Sequence, residues 1–99
     1  MKIDISDKAI KWFQDELDVK PGDGVQFFVR YGGCGNIQTG FSLGVVKKDP
    51  EDPVVTVTEK DIHFYIETKD EWYFNGKDFS VDYDSTIDEI QFTHDIQED

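Results

Sequence analysis

Cysteine is almost absent from this chain: one thiol, Cys34, stands among 99 residues. A lone cysteine cannot close an internal disulfide, so an oxidising compartment would give the fold no stabilisation. Cations are scarce as well. Ten Lys and Arg face 22 Asp and Glu, a net charge of −12, whereas binding to a phosphate backbone draws its affinity from Lys and Arg releasing counterions. Nucleic acid is therefore excluded as an expected partner. The plainest effect of the acid excess is solubility, and attraction to a basic protein or to cations is the sharper alternative. Long apolar runs are missing too. The N-terminus, M-K-I-D-I-S-D-K-A-I, has no apolar stretch of the kind a signal peptide carries, and no segment approaches membrane-spanning length. These absences predict a soluble, cytoplasmic protein that does not associate with membranes.

Catalytic signatures are equally thin. The chain has no G-x-S-x-G and no phosphate-cradling Walker loop. Asp82, Asp84, Asp88 and Glu89 cluster, but without the D-x-D-x-D-G spacing of a calcium loop. Asp70-Glu71 reads as helix-start chemistry rather than an acid/base pair. His63 and His94 lack a His or Cys partner at zinc-type spacing. His63 alternates with Ile62 and Phe64 as an outward-facing strand residue would, and His94 with Asp95 offers at best mixed ligands beside Cys34. No base is identifiable near Cys34 in sequence, so the expectation is that the protein is not an enzyme.

Aromatic and aliphatic side chains are in good supply, at 14% and 37% of residues for the aromatic and total hydrophobic sets. That is enough for one compact core, and the length predicts a single domain over residues 1–99. A helix is predicted over about residues 6–17. Ser6 is the N-cap, Asp7 meets the positive end of the dipole, and Ile5 is placed to staple onto Ile10. Ala9, Ile10, Phe13 and Leu17 form its apolar stripe, with Trp12 packing beside them. V-K-P-G-D-G, from Val19 to Gly24, is turn chemistry. Val25, Phe27, Val29 and Tyr31 then alternate with polar or outward positions, and Ile37, Thr39, Phe41, Leu43 and Val45 repeat the period of two. The two runs predict a hairpin. K-K-D-P-E-D-P, from Lys47 to Pro53, predicts an exposed, proline-broken loop. Val54 to Thr58 and Ile62 to Thr68 read as strands around a polar turn. K-D-E-W-Y-F-N-G reads as one helical turn with glycine as its left-handed C-terminal residue, or alternatively as a hairpin turn at Asn75-Gly76. Trp72, Tyr73 and Phe74 read as core and edge packing. Phe79, Val81 and Tyr83 alternate again, and residues 89–93 form a last short strand.

The hairpin connection holds the one soft side chain. In R-Y-G-G-C-G, Gly32, Gly33 and Gly35 surround Cys34, and glycine serves where the backbone turns tightly or passes close to another group. Cys34 is either a small residue on a turn or a thiol displayed for metal binding or exchange.

Tyr31-Gly32-Gly33-Cys34-Gly35, Phe41-Ser42-Leu43, Phe64-Tyr65-Ile66, Tyr73-Phe74-Asn75-Gly76, Val81-Asp82-Tyr83 and Phe92 occur in this order. Their combination resembles the HesB-like family, which includes the A-type iron–sulfur carriers such as IscA. The resemblance implies an α+β domain, with strands in two packed sheets, an N-terminal helix and a short second helix. It also implies a role in iron–sulfur cluster assembly or iron handling. Cys34 would then be the metal ligand, in a cofactor-binding loop shaped by Gly32, Gly33 and Gly35. The cofactor would be iron or an iron–sulfur cluster, the partner a protein of the assembly machinery, and a homodimer one route to a fuller ligand set.

The chain departs from that pattern at its end. Family members usually carry two further cysteines in a C-G-C, whereas this sequence reads T-H-D-I-Q-E-D after Phe92 and stops. A cluster is normally held by four ligands, predominantly thiolates, and one Cys per protomer gives a homodimer two. The reading is a HesB-like protein related to cluster assembly that is not an autonomous carrier. The alternative is a small acidic protein-interaction module that keeps the fold without metal chemistry.

Overall fold

The computed structural model describes residues 2–31 and 41–94. The elements run β1 (Ile3–Ile5), α1 (Asp7–Glu16), β2 (Gly24–Tyr31), β3 (Phe41–Lys47), β4 (Pro53–Glu59), β5 (Ile62–Glu67), a 3-10 turn (Thr68–Asp70), α2 (Glu71–Phe74), β6 (Phe79–Asp84) and β7 (Glu89–His94). They form an α+β fold with two sheets, one in the order β1-β6-β7 and one in the order β3-β2-β5-β4.

Helix α1 has the expected ends. Ser6 caps it, its hydroxyl accepting the Ala9 N–H at 3.1 Å, and the Leu17 N–H closes the last turn on the Phe13 carbonyl. Ala9, Ile10 and Phe13 are fully buried. Strand β1 has no counterpart in the local sequence pattern. Three residues are too few for a period-two signal, and β1 exists because a distant strand pairs with it. It lies parallel to β6, Ile3 opposite Phe79 and Ile5 opposite Val81.

The predicted hairpin is present as β2 and β3, antiparallel from Val25↔Lys47 to Tyr31↔Phe41. Strand β3 runs two residues beyond Val45, and the part of the run from 37 to 40 lies outside the described residues. The β4–β5 turn is tight, with Lys60 and Asp61 both at positive φ (51° and 64°), the requirement of a twist-matched hairpin. At the end of α2, Asn75 rather than glycine is the left-handed cap (φ 52°), with Gly76 also positive at 73°. Asparagine tolerates that region better than most residues, and the hairpin alternative at this point does not occur.

The core sits between the sheets and under α1. Phe27 packs against Phe13 (6.0 Å between ring centroids), Phe64 (6.2 Å), Phe79 (5.4 Å) and Phe92 (6.2 Å). It thereby joins the helix, both sheets and the last strand; its Phe13, Phe79 and Phe92 contacts are edge-on and its Phe64 contact is stacked, geometries that add to plain area burial. Tyr73 and Phe74 of α2 are buried, whereas Trp72 is 49% exposed.

The loop after β3 is exposed, as its composition predicts, but it is also tied down. The buried Glu67 accepts the N–H groups of Glu51 (3.0 Å) and Asp52 (2.8 Å), Thr68 donates to the Asp52 carbonyl, and the Tyr65 hydroxyl donates to the Lys48 carbonyl at 2.7 Å.

Candidate functional site

Cys34 and its flanking Gly32, Gly33 and Gly35 lie outside the described residues, and so does Asp95. The structure does fix the two strands that carry the connection: β2 and β3 stay in register up to Tyr31↔Phe41, so residues 32–40 join two strand ends held side by side. Among the described residues, no three His, Cys, Asp or Glu side chains lie together as a metal ion would need. His63 is half-buried rather than fully outward, its Nδ1 3.0 Å from the Thr58 hydroxyl across the β4–β5 pair. Asp82 is committed elsewhere. Its carboxylate accepts from the Ser6 hydroxyl at 2.7 Å and from the Tyr83 N–H at 2.8 Å. These bonds, the Ser6 one foremost, hold its pKa below the ordinary carboxylate value.

A second feature, close to the strand that leads to Cys34, was not visible in the sequence. Strand β5 pairs with β2 only along residues 24–26 of β2. Farther along β2, the Asp70 carboxylate lies within the influence of the Val29 N–H, which acts to lower its pKa. Asp70 does not cap α2 with its side chain; its carboxylate lies near β2 beyond the end of the β2–β5 ladder. It is 8% exposed, and its Oδ2 has no hydrogen-bond partner among the described residues. Burial raises its pKa above the ordinary carboxylate value, with Glu67 adding to the shift while Lys69 and the Val29 N–H oppose it. An aspartate at the start of a helical turn reads in sequence as a cap, so only the register of β2 and β5 reveals this placement.

Asp70 lines a hollow of about 330 Å³ on the outer face of the four-stranded sheet, together with Gln26, Phe28, Val46, Lys48 and Lys69. Residues opposite one another in a ladder share a face, and Gln26↔Val46 and Phe28↔Gly44 are such pairs. The floor has a specific cause in Gly44: a Cβ there would stand 2.6 Å from Phe28 Cζ and 2.7 Å from Arg30 Cδ. The missing side chain lets the Phe28 ring and the Arg30 stem lie over β3. A separate groove of about 280 Å³ runs between α1 and the β6–β7 turn, where Trp12 and Tyr83 lie among Lys8, Lys11, Asp15 and Asp88. The Tyr83 hydroxyl donates to Asp88 there.

Comparison with known proteins places this architecture. The family described as "Iron-sulphur cluster biosynthesis" matches residues 1–98. The chain belongs to this iron–sulfur cluster biosynthesis family. A Bacillus subtilis protein named "Pyruvate dehydrogenase inhibitor" is 47% identical over 94 residues, which cover 95% of this chain and 99% of that protein. An uncharacterized protein of Staphylococcus saprophyticus is 38% identical over 95 residues, covering 93% of this chain and 97% of its own. Among solved structures, Escherichia coli SufA, described as involved in biosynthesis of iron–sulfur clusters, superposes with a TM-score of 0.66 at 14% identity, over 93% of this chain and 79% of that one. The last likeness is one of fold. For the iron–sulfur family fold, then, the HesB-like resemblance holds. The donor set for a cluster does not fit by this chain's residues alone, since it has a single thiol where four ligands, mostly thiolates, are the norm.

Proposed function

We propose that this chain is a non-enzymatic, cytoplasmic member of the iron–sulfur cluster biosynthesis family that acts by binding a protein partner, and that the partner is pyruvate dehydrogenase, which it inhibits. The observation that carries this reading is the 47% identity to the Bacillus subtilis pyruvate dehydrogenase inhibitor, which extends over 99% of that protein and 95% of this one. The chemistry of the chain is compatible with it. One thiol and a net charge of −12 leave little for a catalytic site or an autonomous cluster carrier, whereas inhibition by binding needs only a complementary surface. The test is NADH formation by the purified pyruvate dehydrogenase complex of the same host, with the chain added from nanomolar to tens of micromolar. Saturable inhibition is expected, and undiminished turnover at the highest concentration would sink the reading.

The whole-chain family match favours a second reading, in which Cys34 handles iron or a cluster supplied by the assembly machinery. A homodimer would then present two thiols, and the remaining ligands would come from a partner or a small thiol. Anaerobic reconstitution with iron and sulfide, followed by absorbance and metal analysis, distinguishes this reading from simple inhibition.

A further inference from the structure

We propose that β3 is the surface through which two copies of this chain pair, edge to edge and antiparallel about Gly44, so that their four-stranded sheets join into one. The inference goes beyond the inhibitor reading and does not depend on it.

Among the described residues, β1 and β7 border one sheet and β3 and β4 the other. A border strand presents unpaired N–H and C=O groups, and proteins blunt such edges with charge, proline, bulges or shortness. Three of these borders are blunted. Strand β1 has three residues with Asp4 at its centre, β7 opens on Glu89, and β4 carries Pro53, Glu59 and a register shift between Pro53 and Val55. Strand β3 has none of these devices. It runs seven residues in unbroken register with β2, and F-S-L-G-V-V is uncharged up to Lys47. In a chain of net charge −12, this border lets two copies approach without setting carboxylate against carboxylate.

The Phe28 ring selects a second copy over any other extended segment. Its Cζ stands 2.6 Å from where a Gly44 Cβ would be, so the ring lies over the edge strand itself. Across a two-fold axis at Gly44 the facing Cα atoms stand about 5 Å apart. The two Phe28 ring tips then meet over the paired glycines at the spacing of an aromatic pair. A closed two-fold contact uses the same patch on both copies, and here the register suits itself. Phe41 of one copy faces Lys47 of the other, residue 42 faces residue 46, and Leu43 faces Val45, with no like charges opposed. The two Phe41 ends, which carry the connections to Cys34, lie about 20 Å apart along the joint ladder. The pairing uses neither thiol nor iron.

The test is sedimentation equilibrium of the full chain. A seven-residue edge belongs with the small interfaces, so half-association is expected near about 100 µM. Two acidic copies repel, so screening by salt should tighten the dimer. In the parent protein, hydrogen exchange along residues 42–46 should slow as concentration rises. Two double variants read the register, both altering the outer face of β3. Ser42→Glu/Val46→Glu sets like charges opposite one another twice across the axis, whereas Ser42→Glu/Val46→Lys sets opposite charges there and keeps the parent's net charge. The first should dimerise about tenfold more weakly than the second, with both retaining dispersed amide spectra. Cys34→Ser should dimerise as the parent does. A parent that stays monomeric to about 500 µM, well beyond the expected midpoint, would overturn the pairing. So would a dimer that weakens with salt, one lost in Cys34→Ser, or equal association of the two double variants.

Discussion

Ser6 donates its hydroxyl to Asp82 Oδ1 at 2.7 Å while its own Oγ accepts the Ala9 N–H at 3.1 Å. One side chain thus caps α1 and ties the helix start to β6, 76 residues away in sequence. The neighbouring backbone bond, Ser6 N–H to the Val81 carbonyl at 3.0 Å, makes the same connection. Ser6→Ala should remove the cap at about 1 kcal/mol, the usual cost of such a loss, read from urea denaturation at neutral pH. It should also release Asp82. Because the folded-state pKa of Asp82 is depressed, its contribution is present above the ordinary carboxylate value and lost as pH falls through the folded one. Carboxylate NMR titration should show Asp82 moving back up in the variant; an unmoved Asp82 would mean that the hydroxyl does not hold it.

Glu67 is expected to govern the long loop after β3. Its two oxygens each accept one backbone N–H, from Glu51 and Asp52, at a nearly buried position, and bonds to a charged acceptor are the stronger class. Glu67→Ala should cost about 2 kcal/mol and speed hydrogen exchange at Glu51 and Asp52. Glu67→Gln, which keeps one acceptor oxygen, should fall between. Exchange at those two amides unchanged in Glu67→Ala would show that the loop is held by other means.

The alternations that define β2, β5 and β6, and the cap and stripe of α1, are legible in sequence because each is a local pattern set by one buried face. The roles of Glu67 and Asp70 are not local. Tyr65 and Glu67 share a strand face by period two, which hints that Glu67 points where Tyr65 does, but its partners come from a loop 15 and 16 residues away. Asp70 acts where the β2–β5 ladder stops short, which no spacing encodes. Strand β1 is invisible for a related reason, since its partner β6 begins at Phe79. The family motifs were legible as an ordered set, whereas the Gly32, Gly33, Cys34 and Gly35 loop lies outside the described residues.

Tyr65 should titrate late. Its hydroxyl donates to the Lys48 carbonyl at 2.7 Å. Burial, with Glu67, Asp49 and Glu51 nearby, pushes its pKa up to about 12. The folded state therefore holds the phenolic proton after the unfolded chain, titrating at about 10, has released it. Stability is retained up to about pH 10 and falls as pH rises toward about 12. Tyr65→Phe should abolish that alkaline segment and cost about 1 kcal/mol at neutral pH through the lost hydrogen bond. An alkaline slope identical in the two proteins would assign it to another group.

Asp70 should give the opposite of ordinary acid behaviour. Its raised folded-state pKa means that the folded protein binds the proton more tightly than the unfolded chain does. Across the window between the two values, stability falls as pH rises, then levels off once Asp70 is ionised in both states. Asp70→Asn is close in size and removes the titration, so a pH series of unfolding free energies should lose that segment while the depressed Asp82 still contributes its opposite slope. A variant with the same pH profile as the parent would show that Asp70 is not the buried acid described.

Cys34 carries the last expectation, drawn from sequence. Glycines at 32, 33 and 35 have no side chains with which to cover a thiol, and connections between strands generally run over the surface. In the folded protein Cys34 should react with a maleimide, at a rate set by its thiolate fraction. Cys34→Ser exchanges residues of similar size and should leave stability within about 0.5 kcal/mol, as for other surface changes, while abolishing any binding of iron or another soft metal. The partner inhibition proposed above, if it does not use the thiol, should survive the substitution. A thiol that reacts only after unfolding, or a serine variant that binds iron as well as the parent, would remove Cys34 from the chemistry of this protein and leave surface recognition to account for its function.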